Sequence, residues 1–230
     1  MVPKAAPIFV VSAPSGTGKT TLNTMLIKRY PHVRFSVSLT TRPKRPNEKD
    51  GADYYFVSKE EFQKRIDAGE MLEWANVFGN LYGTSQHELE RISEAGSKVI
   101  VEIDVQGWQK AQPKLPQATS IFVLPPTLQA LWTRLEGRGT DSLEVRWRRL
   151  LTARKEIESG HLYQFFIVND IIDTAYQELE HIVVNDKPGS KGPQEGMRLC
   201  EALLQEFESA VWLKDLRQKF GESFTNRQDL

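Results

Sequence analysis

Ala13-Pro14-Ser15-Gly16-Thr17-Gly18-Lys19-Thr20 decides how this chain is read. The apolar run Ile8-Phe9-Val10-Val11 precedes it and reads as a short buried strand. Thr21-Leu22-Asn23-Thr24-Met25-Leu26-Ile27 follows, with apolar residues at helical spacing. Strand, glycine loop and helix in that order are the context a phosphate-binding loop requires. Small residues let backbone N–H groups turn inward around phosphate oxygens, and the helix N-terminus adds partial positive charge. The expectation is a nucleoside triphosphate site built from Ala13, Pro14, Ser15, Gly16, Thr17, Gly18, Lys19, Thr20 and Thr21. Lys19 would reach the β- and γ-phosphates, and the Thr20 hydroxyl would ligate Mg²⁺. Ala13 stands at the first position of the G-x-x-x-x-G-K-[ST] pattern, where a positive φ would strain alanine. A backbone that is not left-handed is therefore expected there. The bland alternative, a glycine-rich turn without a ligand, leaves Lys19, Thr20 and the flanking elements unexplained.

Composition narrows the class. The 230 residues are 40% hydrophobic and 26% charged, which suits one domain of ordinary size or one with small insertions. Thirty basic and thirty acidic residues cancel, so no basic excess argues for a nucleic-acid partner. The single cysteine, Cys200, excludes an internal disulfide and suits a reducing compartment. Its neighbours Met197, Leu199, Leu203 and Leu204 suggest a helix face and a packing role. Met1–Pro7 lacks the apolar region of a signal peptide. No apolar run reaches the roughly 18 residues of a spanning helix. The expectation is a soluble, cytoplasmic chain with no membrane partner.

Strand candidates are Ile8–Ser12, Phe35–Ser38, Asp53–Val57, Lys98–Asp104, Thr119–Leu124, Phe165–Val168 and His181–Val184. Helix candidates are Thr20–Tyr30, Lys59–Ala68, Ser85–Ala95, Leu128–Leu135, Leu143–Ser159 and Asp173–Leu179. Their alternation predicts an α/β fold with a mostly parallel central sheet covered by helices. Arg42–Gly83 is polar, aromatic and turn-rich, and reads as a small β-rich insertion. Lys187–Pro193 is the clearest linker. Beyond it Glu195–Phe207 is predicted as a helix on the core. Ala210–Phe220 is predicted as a helix that packs or mediates self-association, which leaves a homo-oligomer open.

A second set of segments carries acceptor chemistry. Ser36-Val37-Ser38-Leu39-Thr40-Thr41-Arg42-Pro43-Lys44-Arg45 places hydroxyls and two arginines after a strand. Arg42 and Arg45 could converge on one dianionic phosphate with bidentate geometry. Asp53-Tyr54-Tyr55-Phe56, Leu72-Glu73-Trp74 and Gly79-Asn80-Leu81-Tyr82-Gly83-Thr84-Ser85 follow. Val99-Ile100-Val101-Glu102-Ile103-Asp104 reads as an apolar strand ending in acids, with residues 102 and 104 on one face. Arg134, Arg138, Arg148, Arg149 and Arg154 gather around Gly137 and Gly139. Mobile arginines suit phosphoryl transfer, which disperses negative charge over the transferred oxygens.

In order, from about residue 7 to residue 185, these segments resemble guanylate kinase. The resemblance implies a P-loop kinase with a mostly parallel sheet, a small β-rich GMP-binding insertion and a helical lid. It implies a domain over 1–190, with core 1–35, 96–135 and 160–190, GMP-binding region 36–95 and lid 136–159. Residues 191–230 would be a helical C-terminal extension. The implied reaction is ATP plus GMP giving ADP plus GDP, with Mg²⁺, in purine nucleotide metabolism; use of dGMP is left open. The acceptor phosphate would be held by Ser38, Arg42, Arg45, Tyr54 and Tyr82. Glu73 would read guanine, because a carboxylate accepts both N1–H and the N2 amine, a donor pair that adenine lacks. Ser38 and Thr84 would complete that recognition. Asp104 would lie near phosphates and metal, with contact through water left open, and Glu102 near the acceptor. Arg134, Arg138 and Arg149 fall on the lid positions, Arg148 and Arg154 reading as solvated. Asn169 would contact ATP or a lid arginine.

The chain departs from the family pattern at Lys44 and Asn47, where Pro and Gly are common. Asn47 tolerates left-handed backbone and would preserve the turn. Phe165-Phe166 replaces a more acidic or aliphatic pattern, leaving local packing open. Two other readings compete. A catalytically silent interaction module of the same fold would lose the phosphate loop, which this chain keeps. A kinase for another phosphorylated acceptor, such as a ribosyl phosphate, would have no use for Glu73.

Overall fold

The computed structural model describes residues 6–77, 79–137 and 142–221. By internal contact the chain divides into two compact units, Met1–Val10 with Tyr30–Thr119, and Val11–Arg29 with Ser120–Leu230. Strand β1 (Ile8–Ser12) contributes residues to both. The central sheet is parallel, in the order β2 (Val33–Phe35), β7 (Lys98–Glu102), β1, β8 (Thr119–Leu124), β9 (Phe165–Val168). Its inner strands are continuous apolar runs: Val10, Val11, Val99, Ile100, Val101 and Ile121–Leu124 are all fully buried. Strands covered on both faces need no polar alternation.

The first unit holds a second, four-stranded sheet in the order β4 (Tyr55–Phe56), β3 (Leu39–Thr40), β6 (Asn80–Ser85), β5 (Met71–Val77). β3 pairs parallel with β4 and antiparallel with β6, and β5 pairs antiparallel with β6. Helix α2 (Lys59–Asp67) covers it, capped by Ser58, whose hydroxyl accepts the Glu61 N–H at 3.1 Å. Phe62 of α2 is fully buried with Leu39 and Met71, and Tyr55, Val57, Ile66 and Leu81 pack around them. Burying a side chain such as Phe62 is worth about 1.5–3 kcal/mol. α3 (Gln86–Glu94) and α4 (Val105–Ala111) complete this unit's helices, with the short 3₁₀ turn Gln112–Lys114 after α4.

The second unit carries α1 (Lys19–Arg29), α5 (Leu128–Glu136), α6 (Leu143–Glu158), α7 (Ile172–Val183), α8 (Pro193–Ser209) and α9 (Leu213–Phe220). Leu22 and Leu26 bury the inner face of α1. Phe166, fully buried, meets Phe122 edge-on at 6.2 Å, and Phe122 stacks on Tyr163 at 4.4 Å. Phe166 is therefore a core aromatic, and Phe165 beside it is half-buried. Cys200 is buried in α8, and burial pushes its thiol up to about 12, so it stays protonated and packs as a small apolar group.

Several elements differ from expectation. His181–Val184 is the end of α7, not a strand. The β-branched run Ile182-Val183-Val184 imitates a strand locally. In the fold Ala175, Tyr176, Leu179, Ile182 and Val183 are buried at helical spacing, so tertiary burial overrides local preference. The strand expected over Lys98–Asp104 ends at Glu102, and α4 starts three residues later at Val105. Side-chain alternation thus does not extend to residue 104, and Glu102 and Asp104 are not successive same-face strand residues. β5 and most of β6 fall in the β-rich stretch Arg42–Gly83, whereas β3 lies just before it.

Candidate active site

In the second unit the stretch 13–20 leaves β1 and enters α1. Gly16 and Gly18 have φ of 90° and 96°, and Ala13 does not adopt positive φ, as its side chain requires. Gly18 is constrained twice: a Cβ there would lie 2.6 Å from Asn169 Nδ2. Thr17 is fully buried; its hydroxyl donates to the Pro14 carbonyl at 2.6 Å and closes the turn. The Leu22 N–H donates to the Gly18 carbonyl, so the helix begins at the loop's last glycine. Lys19 is half-buried, and Thr20 and Thr21 are exposed in the first turn of α1. No acidic residue stands in that turn to neutralise the partial positive charge.

Two further residues brace this loop through one carbonyl. Asn169 Nδ2 donates to the Thr17 carbonyl at 2.7 Å. Asn169, expected to contact ATP or a lid arginine, is 4% exposed and supports the loop from beneath. Arg134 Nη1 reaches the same carbonyl at 3.4 Å, and its Nη2 the Asp170 carbonyl at 3.5 Å. Arg149 lies on α6, half-buried. Ser142 caps that helix, its hydroxyl accepting the Val145 N–H at 3.3 Å. Arg148 and Arg154 form surface pairs with Glu144 (2.5 Å) and Glu208 (2.6 Å). Arg138 lies outside the described residues.

In the first unit the small sheet gathers the other expected residues. Thr40 and Thr41 serve the backbone. The Thr40 hydroxyl accepts the Arg42 N–H at 3.2 Å, and the Thr41 hydroxyl accepts the Leu81 N–H at 2.9 Å. Arg42 is thereby aimed along β6. Its Nε donates to the Tyr82 hydroxyl at 3.2 Å. Its guanidinium lies 5.6 Å from the centroid of the Tyr54 ring and 5.7 Å from that of Phe56. Tyr54 and Tyr82 meet edge-on at 5.9 Å, and burial raises the Tyr54 hydroxyl pKa, so it remains a donor. Arg42, Tyr54 and Tyr82 form one donor cluster. The Arg45 side chain is exposed beside it, and Ser38 is half-buried, its carbonyl accepting the Tyr55 N–H at 2.9 Å.

Sequence reasoning missed the residue that organises this cluster. Glu48 takes Arg42 in a fork, Oε1 from Nη2 at 2.7 Å and Oε2 from Nη1 at 3.1 Å. Glu48 Oε2 also accepts the Arg45 N–H at 2.8 Å. Arg42 holds the Glu48 carboxyl below the usual carboxylate range, and Glu48 raises Arg42 further above its ordinary value. The turn is closed by this carboxylate and by the Glu48 N–H on the Arg45 carbonyl at 3.1 Å. Asn47 is not left-handed, contrary to expectation; among the described residues only Asp186 combines a side chain with positive φ. A carboxylate six residues after an arginine is the signal that could have been read.

Glu73 is aimed by a register defect. The pairing of β5 with β6 runs Met71 to Ser85 and then Glu73 to Thr84, so Leu72 is an extra residue. This bulge lets neighbours Met71 and Leu72 both be buried and turns Glu73 onto Thr84. The Thr84 hydroxyl donates to Glu73 Oε1 at 2.8 Å. Gly83 beside it is required by close approach: a Cβ there would lie 2.5 Å from the Glu73 carbonyl. A Cβ on Gly107 would lie 3.5 Å from Glu73 Oε2. Burial is the main cause raising the Glu73 carboxyl pKa, opposed by the Thr84 bond and reinforced by Asp104. Asp104 is the N-cap of α4, Oδ1 accepting the Gly107 N–H at 2.7 Å. Glu102, half-buried, ends β7. A desolvated carboxylate with one neutral donor can accept two more N–H groups from a planar ligand.

Comparison with known proteins places the chain in a family. The family model described as guanylate kinase matches residues 5–186. A guanylate kinase of Symbiobacterium thermophilum is 45% identical over 199 residues, 86% of this chain and 93% of that one. One from Neisseria meningitidis is 52% identical over 176 residues, 76% of this chain and 86% of its own length. The crystal structure of guanylate kinase from Anaplasma phagocytophilum superposes with a TM-score of 0.59 at 29% identity, covering 96% of this chain and 97% of that one. With a phosphate loop in one unit, a carboxylate-and-arginine site in the other and a family match spanning both, the chain belongs to the guanylate kinase family.

Proposed function

We propose that the chain transfers the γ-phosphoryl group of ATP to GMP, giving ADP and GDP, and so serves purine nucleotide metabolism. The observation that carries this reading is Glu73, a partly desolvated carboxylate fixed by Thr84 on the sheet that also holds Arg42, Tyr54 and Tyr82. Guanine offers two adjacent N–H donors to such a carboxylate. Adenine would leave it with Thr84 as its sole donor among the described residues and the rest of the carboxylate unsatisfied, which a site built to hydrogen-bond penalises heavily. We assign Ser38, Thr84 and Asp104 to the guanine side, Asp104 on the ground that it acts on Glu73 and caps α4. Arg42, Arg45, Tyr54 and Tyr82 would hold the GMP phosphate, with Glu102 on the acceptor side.

The loop 13–21 would hold the ATP phosphates. Its N–H groups and Lys19 neutralise the β- and γ-oxygens, while Asn169 and Arg134 keep the Thr17 carbonyl turned away from that anion. A GMP phosphate oxygen attacks the γ-phosphorus; the new O–P bond forms as the bond to the β–γ bridging oxygen breaks, and ADP leaves with that oxygen. No general base is needed, because the nucleophile is already anionic. Arg134, Arg138 and Arg149 would offset charge on the transferred oxygens. Mg²⁺, when bound, supplies charge neutralisation at the phosphates. The exposed Thr20 hydroxyl is an oxygen ligand of the hard kind that Mg²⁺ takes, and phosphate oxygens and water suit the rest of its shell.

The test is ADP release with Mg²⁺ and ATP against GMP, AMP, CMP, UMP and ribose phosphates. Turnover with GMP above all others is expected. Preference for a ribose phosphate would replace this reading.

A further inference from the structure

Residues 187–221 follow the last position matched by the family model, yet they grip the two helices that carry the lid arginines. Glu206 Oε2 of α8 accepts the N–H of Leu128, the first residue of α5, at 2.8 Å. Trp212, just before α9, meets Trp132 of α5 with ring centroids 5.7 Å apart. Arg146 of α6 lies 5.3 Å from the centroid of the Trp132 ring and bonds Glu136 at 2.5 Å. Trp147 of α6 is 2% exposed, and its indole Nε1 donates to the Gly221 carbonyl at 2.9 Å. A buried indole N–H needs such a partner, and here the partner is the residue that ends α9. Gly221 has φ of 74°, and its own N–H closes α9 on the Arg217 carbonyl at 2.8 Å. Leu213 is fully buried, and Arg217 bonds the Phe207 carbonyl.

The spacing gives these contacts a direction. Trp132 and Arg134 are two apart on α5, as are Trp147 and Arg149 on α6. Two residues on a helix are separated by about 200° around its axis. The C-terminal segment therefore holds each helix on the side opposite its arginine, and on α5 the arginine side faces the Thr17 carbonyl of the loop.

We propose that residues 206–221 form a strap that sets α5 and α6, with Glu206, Trp212 and Trp147 as positioning residues for Arg134 and Arg149. This rests on the reading of those arginines as phosphoryl-transfer groups. The strap acts on the orientation of the arginines during transfer, not on acceptor binding, because the side chains assigned to GMP belong to the other unit.

The experiment compares the full chain with Trp147→Phe, Trp212→Ala, Trp212→Phe and a chain ending at Ser209. It measures kcat, KM for GMP, thermal midpoint and hydrogen exchange of the α6 amides. Trp147→Phe keeps a ring in place and removes the N–H that reaches Gly221. Its kcat is expected to fall roughly tenfold with KM for GMP within about twofold, and the α6 amides to exchange faster. Trp212→Ala and the shortened chain should do the same more strongly, and Trp212→Phe should restore most of kcat. Unchanged kcat and α6 exchange in Trp147→Phe and Trp212→Ala would overturn the strap. So would a parallel loss of kcat, GMP affinity and thermal midpoint, the mark of a merely structural role. A full chain inactive toward GMP would overturn the functional reading instead, and α6 exchange would still report on the strap.

Discussion

The glycine loop and the small sheet, the two anion sites proposed above, are built by different means. The loop is built from backbone: two glycines at positive φ, a buried threonine on a carbonyl, and a helix start, all within eight consecutive residues. The sheet is built from side chains. Arg42 and Glu48 come from one turn, Tyr54 from beside β4, Glu73 from β5, and Tyr82 and Thr84 from β6, joined by β-pairing and a bulge. A backbone site tolerates few substitutions but needs little tertiary context. A side-chain site needs context, and in return it can discriminate between bases.

The sharpest way to break this contrast is at the loop. Lys19→Ala should lower kcat by about 10³-fold or more, because one preorganised charge on the transferring phosphate is lost from a water-excluded site. Circular dichroism should remain that of the parent. Near-parental turnover would show that the loop is not the donor site. Gly18→Ala comes next. It places a side chain at φ of 96° and 2.6 Å from Asn169 Nδ2, so both backbone and brace must shift. ATP affinity should fall by roughly 10²-fold, equivalent to about 2.7 kcal/mol, with GMP binding little changed in titration calorimetry. Equal losses for both nucleotides would erase the contrast between the two regions.

The small sheet makes a pH prediction of intermediate size. Burial raises the Glu73 pKa, so its protonated form persists to higher pH than in an ordinary carboxylate. Guanine needs the ionised form. KM for GMP should therefore rise as pH falls through that raised value, by about tenfold per pH unit below it, while KM for ATP stays flat. A flat GMP profile across the acidic range would remove Glu73 from the binding step. The smallest effect is Thr84→Val, which leaves the shape and removes the 2.8 Å donor to Glu73. The loss is of the order of 1 kcal/mol, about fivefold in GMP affinity, and Thr84→Ser should recover it.

This contrast also accounts for what could be read from sequence. The loop was legible because its whole design lies in contiguous residues whose backbone needs are visible, down to Ala13 avoiding positive φ. Arg42, Tyr54 and Glu73 were legible as resemblance, but the reason each points inward was not. The bulge at Leu72 depends on which residue of β6 lies opposite, and Glu48 depends on the turn that brings it back to Arg42. Asn169 was recognised as a residue of interest, but its role beneath the loop requires the packing of β9 beside α1's entry. The end of α7 was misread because Ile182-Val183-Val184 satisfies a strand locally and a helix globally. Local rules see propensity; burial against partners distant in sequence decides the outcome.

The central claim is that one bulge-aimed carboxylate chooses the acceptor base while the loop merely supplies phosphate. The most direct test is the ratio of kcat/KM for GMP to that for AMP in Glu73→Gln against the parent. The account predicts that this ratio collapses by 10²-fold or more, almost wholly through GMP, with KM for ATP unchanged. An undiminished preference for GMP would contradict it and move base recognition elsewhere in the chain.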